Sequence, residues 1–143
     1  MKVYIVSILL LSLASALDQY SNLKTQVGIN CASISYADVV AFDVTPWPPA
    51  ISTSAIITIK IVMGLPNASV GVITYGTMDQ YHTWSYQYQI IDVYFPQNST
   101  QEFQYVFEYP NTVGNYITQV VIGSTDIPPI INSCWSFAYS IGA

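Results

Sequence analysis

The sequence predicts an all-β fold, an antiparallel sandwich of seven to eight short strands. Apolar and polar residues alternate with a period of two in one segment after another. Clusters of Pro, Gly and Asn punctuate those segments at intervals of roughly 8–15 residues. Beyond the first sixteen residues, no stretch carries the period of an amphipathic helix.

The segments follow in order. Residues 39–44 are apolar and β-branched, and they stop at Pro46-Trp47-Pro48-Pro49, where ladder donors run out. Residues 56–63 alternate around Thr58 and Lys60, which puts Ile57, Ile59, Ile61 and Met63 on one face. Gly64-Leu65-Pro66-Asn67 is a turn, and residues 70–75 form the next strand. Residues 83–90 alternate strictly, with Trp84, Tyr86, Tyr88 and Ile90 together. The apolar parity then switches to Ile91, Val93 and Phe95, which predicts a bulge or bend near Ile90-Ile91. Residues 102–109 align Phe103, Tyr105, Phe107 and Tyr109, and Pro110-Asn111 ends the run. Segments 116–122 and 133–141 complete the set. In the last, Trp135, Phe137, Tyr139 and Ile141 share a face that Cys134 opposes.

The amino terminus reads as a secretory signal peptide. Lys2 precedes the apolar run 3–13, and Ala14-Ser15-Ala16 supplies small residues at a cleavage site. A bilayer span takes about 20 apolar residues, so the run is too short to cross. Cleavage after Ala16 leaves residues 17–143, one domain large enough to bury a core.

Charge narrows the function. The mature chain would hold two lysines against eight acids, net −6, and no arginine. Nothing here neutralises phosphates, so nucleic-acid partners are excluded, as is a basic patch for anionic lipid. Charged residues are 8% of the chain, against about 25% in an ordinary domain. Polar side chains must therefore keep the surface wet, helped by glycans at the sequons Asn67-Ala68-Ser69 and Asn98-Ser99-Thr100. The two cysteines, Cys31 and Cys134, are expected to pair in a secreted chain.

No catalytic pattern stands out. His82, the only histidine, sits at a strand start and reads as a turn residue. One histidine and no free thiol are too few for a zinc site. No nucleophile elbow or glycine-rich phosphate loop is present, and the carboxylates are scattered. The expectation is a protein that is not an enzyme and uses no metal or other cofactor.

Several pieces together resemble the ML (lipid-recognition) domain family, which includes secreted phosphatidylglycerol/phosphatidylinositol transfer proteins and the Niemann–Pick lysosomal cholesterol carrier. Cys31 opens the domain, Val44-Thr45-Pro46 ends a strand, a Gly-Leu-Pro-Asn turn joins two strands, and Cys134-Trp135 starts the last one. The resemblance spans about residues 30–141. It implies an immunoglobulin-like sandwich with Cys31 and Cys134 paired across the two sheets and a lipid held between them. Tyr94-Phe95-Pro96 and Pro46-Trp47-Pro48 lack cysteines found in relatives, so the family's further disulfides are missing.

On that reading the chain is a secreted or endolysosomal carrier. Ile57, Ile59, Ile61, Trp84, Tyr86, Phe103, Tyr105, Phe107, Trp135 and Phe137 would wall an apolar pocket for a lipid or sterol. Such a carrier would touch membranes transiently. The alternative is a structural or adhesion module of an extracellular assembly, with protein partners and no lipid cargo. Its twelve tyrosines and few charges suit flat contacts or sugar stacking. An exposed patch of Tyr81, Tyr94 and Trp47 would favour that alternative.

Overall fold

A computed structural model describes residues 27–142. The expected signal peptide, its cleavage site and the first residues of the mature chain lie outside the described residues. Eight strands follow one another: β1 (Ile29–Asn30), β2 (Ala37–Thr45), β3 (Ser54–Met63), β4 (Ala68–Met78), β5 (Trp84–Phe95), β6 (Thr100–Glu108), β7 (Gly114–Gly123) and β8 (Ile131–Ile141). They form a five-stranded sheet of order β1-β8-β7-β4-β5 and a three-stranded sheet of order β2-β3-β6, with every pairing antiparallel. The predicted β-sandwich is therefore the fold. The strand missing from the sequence reading is β1, whose two residues carry no alternation.

The predicted irregularity in β5 is present. Register shifts where Val70 pairs with Val93 but Val72 pairs with Ile90, and Asp92 takes a left-handed φ of 53°. Ile91 and Phe95 pack against the core with the same parity as the inward Gln87 and Gln89, so the switch in the sequence marks apolar residues moving from the outer to the inner face of β5, not a reversal of its side chains.

The alternating faces of both sheets meet in one core. Ile57, Ile59 and Ile61 of β3 and Phe107 of β6 face Ile73 and Tyr75 of β4 and Val120 and Ile122 of β7, and all of these are fully buried. Phe42 of β2 packs on Trp135 and Phe137 of β8, with ring centroids 5.6 and 5.5 Å away. A side chain beside a water-sized void would retain accessible surface, and the fully buried set retains none.

Some polar atoms inside this core are partnered in a chain, while the Tyr109 hydroxyl and Ser133 Oγ are buried without a hydrogen-bond partner. Thr77 and Thr118 share a hydrogen bond of 2.8 Å, and Thr118 meets the Tyr139 hydroxyl at 3.2 Å. Burial, with a smaller contribution from a neighbouring phenol, raises the pKa of Tyr75 and of Tyr109 well above the ordinary value. Burial also raises that of Tyr139, against the opposing hydrogen bonds from Thr118 and Thr77. Above pH about 10 the unfolded chain releases these protons and the folded chain keeps them. Stability should then fall by about 1.4 kcal/mol per pH unit for each such tyrosine. Urea midpoints measured from pH 8 to 11 are expected to be flat and then to drop steeply; a flat profile throughout would contradict the burial.

The side of the sandwich between β5 and β6 is closed by glutamines. Gln87 Nε2 donates to the Glu108 carbonyl at 2.9 Å, and the Glu108 N–H donates to Gln87 Oε1 at 3.1 Å. Gln89 Nε2 donates to the Gln104 carbonyl at 3.0 Å, while its Oε1 accepts from the Tyr75 hydroxyl at 3.0 Å. The two amides thus stand in for a strand that would otherwise pair with β6. Gln89→Ala leaves the buried Tyr75 hydroxyl unpartnered and is expected to cost about 1–3 kcal/mol in urea unfolding. A cost indistinguishable from zero would mean that the clasp contributes nothing.

Cys31 and Cys134 are bonded, as expected, with Cα atoms 5.0 Å apart. The pairing across two sheets implied by the family resemblance is corrected by the topology. Cys31 follows directly on β1, β1 is the neighbour of β8 in the same sheet, and the Cys31 N–H donates to the Cys134 carbonyl at 3.1 Å. The bond therefore ties an edge strand to its own sheet.

Candidate interaction face

The ten residues expected to wall a lipid pocket divide into two groups. Ile57, Ile59, Ile61, Phe103, Phe107 and Phe137 are buried between the sheets, and Tyr105 and Trp135 pack against them half-buried. Tyr105 lies 4.3 Å from Tyr75 in a near-parallel stack. Trp84 and Tyr86 are not with them. They lie on the outer face of β5 with relative exposures of 38% and 53%.

Sheet order explains the division. Five strands stand over three, so β5 projects to the side of β6 and does not cover an apolar face. Along its first half the inward residues are accordingly Ser85, Gln87 and Gln89, and the clasp uses both glutamines; beyond them Ile91 and Phe95 pack against the core. The aromatic set is left to face outward.

That set forms a ladder. Trp84 and Tyr86 have centroids 6.0 Å apart and planes 9° apart; Tyr86 and Tyr88 follow at 6.3 Å and 21°. Ile90 continues the line and is 81% exposed. The rings lean over β4, where Gly76 makes room: a Cβ there would come within 2.9 Å of Tyr86 Cε1 and 3.3 Å of Trp84 Cζ3.

Register extends the face across the sheet. Trp84 pairs with Met78, which pairs with Ile117, which pairs with Ala138. The next row is Tyr86, Gly76, Gln119 and Ser136, and then Tyr88, Thr74, Val121 and Cys134. No residue in these rows is charged. At the end of the face an open groove of about 500 Å³ is lined by Met78, Asp79, His82, Tyr116, Ile117 and Ala138, among others. Asp79 builds the adjoining turn by accepting from the N–H groups of Tyr81 and Thr83, each at 2.8 Å. His82 has a φ of 65° in that same turn.

The opposite surface is charged. Asp38, Asp43, Lys60, Glu102 and Glu108 all lie on the outward positions of β2, β3 and β6. Lys60 and Glu102 are 3.1 Å apart, an exposed pair of small energetic value. Asp79, Asp92 and Asp126 occupy turns or the β5 bulge. The molecule thus has one hydrated acidic face and one uncharged aromatic face.

Tyr81, Tyr94 and Trp47 are all exposed, but they do not form one patch. Tyr81 is in the β4–β5 turn and Tyr94 is near the far end of β5. Trp47 stacks edge-on against Phe137 and Tyr139 at 6.2 and 6.3 Å. Among the described residues the exposed aromatics that gather are those of the outer ladder, whose Trp84 and Tyr86 the sequence reading took for pocket lining.

The sequon asparagines Asn67 and Asn98 are exposed and lie in neighbouring loops at one pole. The Asn98 N–H donates to the Met63 carbonyl at 2.7 Å, and Gln97 Nε2 donates to the Gly64 carbonyl at 2.9 Å. The groove beside His82 is at the other pole.

No family model and no curated protein matches the chain. Among solved structures it is similar to the C-terminal domain of Wzt, with a TM-score of 0.68 and 8% sequence identity, over 81% of this chain and 78% of that one. At that identity the likeness is one of fold.

Proposed function

We propose that this chain is a non-catalytic extracellular interaction module that meets its partner through the uncharged outer face of the five-stranded sheet. The observation that carries the reading is the asymmetry between the two outer faces. A monomer with no partner has no reason to gather Trp84, Tyr86, Tyr88 and Ile90 on one exposed line and its strand charges on the other side. The disulfide fits an oxidising compartment, which agrees with secretion. Glycans on Asn67 and Asn98 would cover one pole and leave the aromatic ladder open. The carrier reading draws less support, because an acyl chain between the sheets would have to part residues that are already packed together.

Two measurements test the proposal. Native mass spectrometry of the secreted protein should find no apolar cargo. Oxidative footprinting should find Trp84, Tyr86 and Tyr88 protected in native extracellular material relative to dilute purified protein. Co-purified lipid, or equal labelling in both samples, would overturn it.

A further inference from the structure

We infer that a second copy of the same chain joins this one edge to edge through β5, beside the aromatic face. The inference deepens the interaction-module reading and rests on it. A sheet edge presents unpaired N–H and C=O groups, and proteins that stay monomeric blunt their edges with bulges, charges, prolines or coverage. Among the described residues this sandwich has four edge strands: β1, β5, β2 and β6.

Three of them are blunted. The edge strand β1 is two residues long and is tied down by the disulfide beside it. Its counterpart β2 carries Asp38 and Asp43 and breaks register between Val39 and Ala41. Main-chain groups of β6 are engaged by Gln87 and Gln89, and it carries Glu102 and Glu108.

Among the described residues the remaining edge, β5, has none of these devices from Trp84 to Ile90. That run, WSYQYQI, contains no charge, no proline and no bulge, and pairs in regular register with β4 alone among the described residues. The first interruption is the bulge at Asp92.

Charge permits a second copy at this edge, and self-complementary register favours it. Copies of this chain all carry excess negative charge, net −5 over the whole sequence, and repel one another in general. The carboxylates of β2 and β6 stand on the other sheet, so two β5 edges can approach without placing acids opposite each other. Antiparallel pairing about a two-fold axis at Gln87 puts Tyr86 opposite Tyr88 and Trp84 opposite Ile90. All these side chains then lie on one face, and the two ladders become a single aromatic strip across a continuous ten-stranded sheet. A slip of one residue would turn one ladder away from the other, so the pattern also fixes the parity of the register.

The test is sedimentation velocity on the purified, disulfide-bonded protein from micromolar to millimolar concentration. The expected result is a monomer–dimer equilibrium. Tyr88→Lys sets two lysines on the diagonal across the two-fold axis, and Ile90→Lys replaces the apolar partner of Trp84 with a charge; each should weaken the dimer by about tenfold or more. Val106→Lys, on the exposed face of β6, should leave it unchanged. Circular dichroism and thermal unfolding check that the variants fold, and hydrogen exchange should slow at β5 amides as dimer forms. A monomer at every concentration, or a dimer that tolerates both β5 lysines, overturns the inference. If that happens while footprinting still shows the ladder protected in native material, the interaction-module reading stands with a different partner. Lipid in the native mass spectrum removes that reading as well.

Discussion

Phe107→Ala is expected to lower stability by about 3–5 kcal/mol, the usual cost of truncating a fully buried phenylalanine. Phe107 has no accessible surface, lies edge-on to Tyr109 at 5.5 Å and is 6.3 Å from Tyr75. Tyr75 is held in β4 by ladders on both sides, so the space Phe107 leaves closes only in part. Urea unfolding with an unchanged m-value is the measurement. The experiment also separates two pictures of the interior. If Phe107 were the wall of a lipid pocket, its removal would enlarge a space that is already there, and stability would change little while lipid loading fell. A cost below about 1 kcal/mol would therefore argue against the filled core.

Cys134→Ser should cost about 2–5 kcal/mol, as for native disulfides in small secreted domains. The bond spans 103 residues of sequence, so its loss frees a long loop in the unfolded chain. The folded chain has little else to hold β1. That strand contributes two register pairs to β8, supplemented by the Trp135 indole donating to the Val27 carbonyl at 2.7 Å. Hydrogen exchange in the variant should therefore accelerate first at β1, with β7 and β8 protected until global unfolding. The reduced wild-type protein should match Cys134→Ser. If reduction leaves the unfolding midpoint unchanged, the bond is not a determinant of stability.

These two results bear on features that were not equally legible in the sequence. The Ile57–Ile59–Ile61 face and Phe103 and Phe107 could be placed inside from alternation alone, because side chains in a strand point to opposite faces in turn. The irregularity in β5 was flagged where apolar residues change parity at Ile90-Ile91, although Gln87, Gln89, Ile91 and Phe95 all face inward across it. The sequons and the partnership of the only two cysteines needed no structure to be expected.

Alternation does not say which of its two faces turns inward. For β3 and β6 one face is apolar and the other polar, so burial decides. For β5 the aromatic face looks like core, yet it lies outside. The reason is the sheet order: β5 stands beside β6 at the open side of a five-on-three sandwich, and Gln87 and Gln89 face inward to hold the β6 main chain. The same limit applies to the disulfide. Local sequence contains no signal for β1, and only the β1–β8 pairing shows that the bond lies within one sheet. The sequence by itself determined the fold class, most of the strands, the bulge, most of the core and the acidic, nearly lysine-free surface, because these follow from local periodicity and composition. Only the tertiary structure decided that the charges gather on one outer face and the exposed aromatics on the other, because that depends on which strands become neighbours across the sheet.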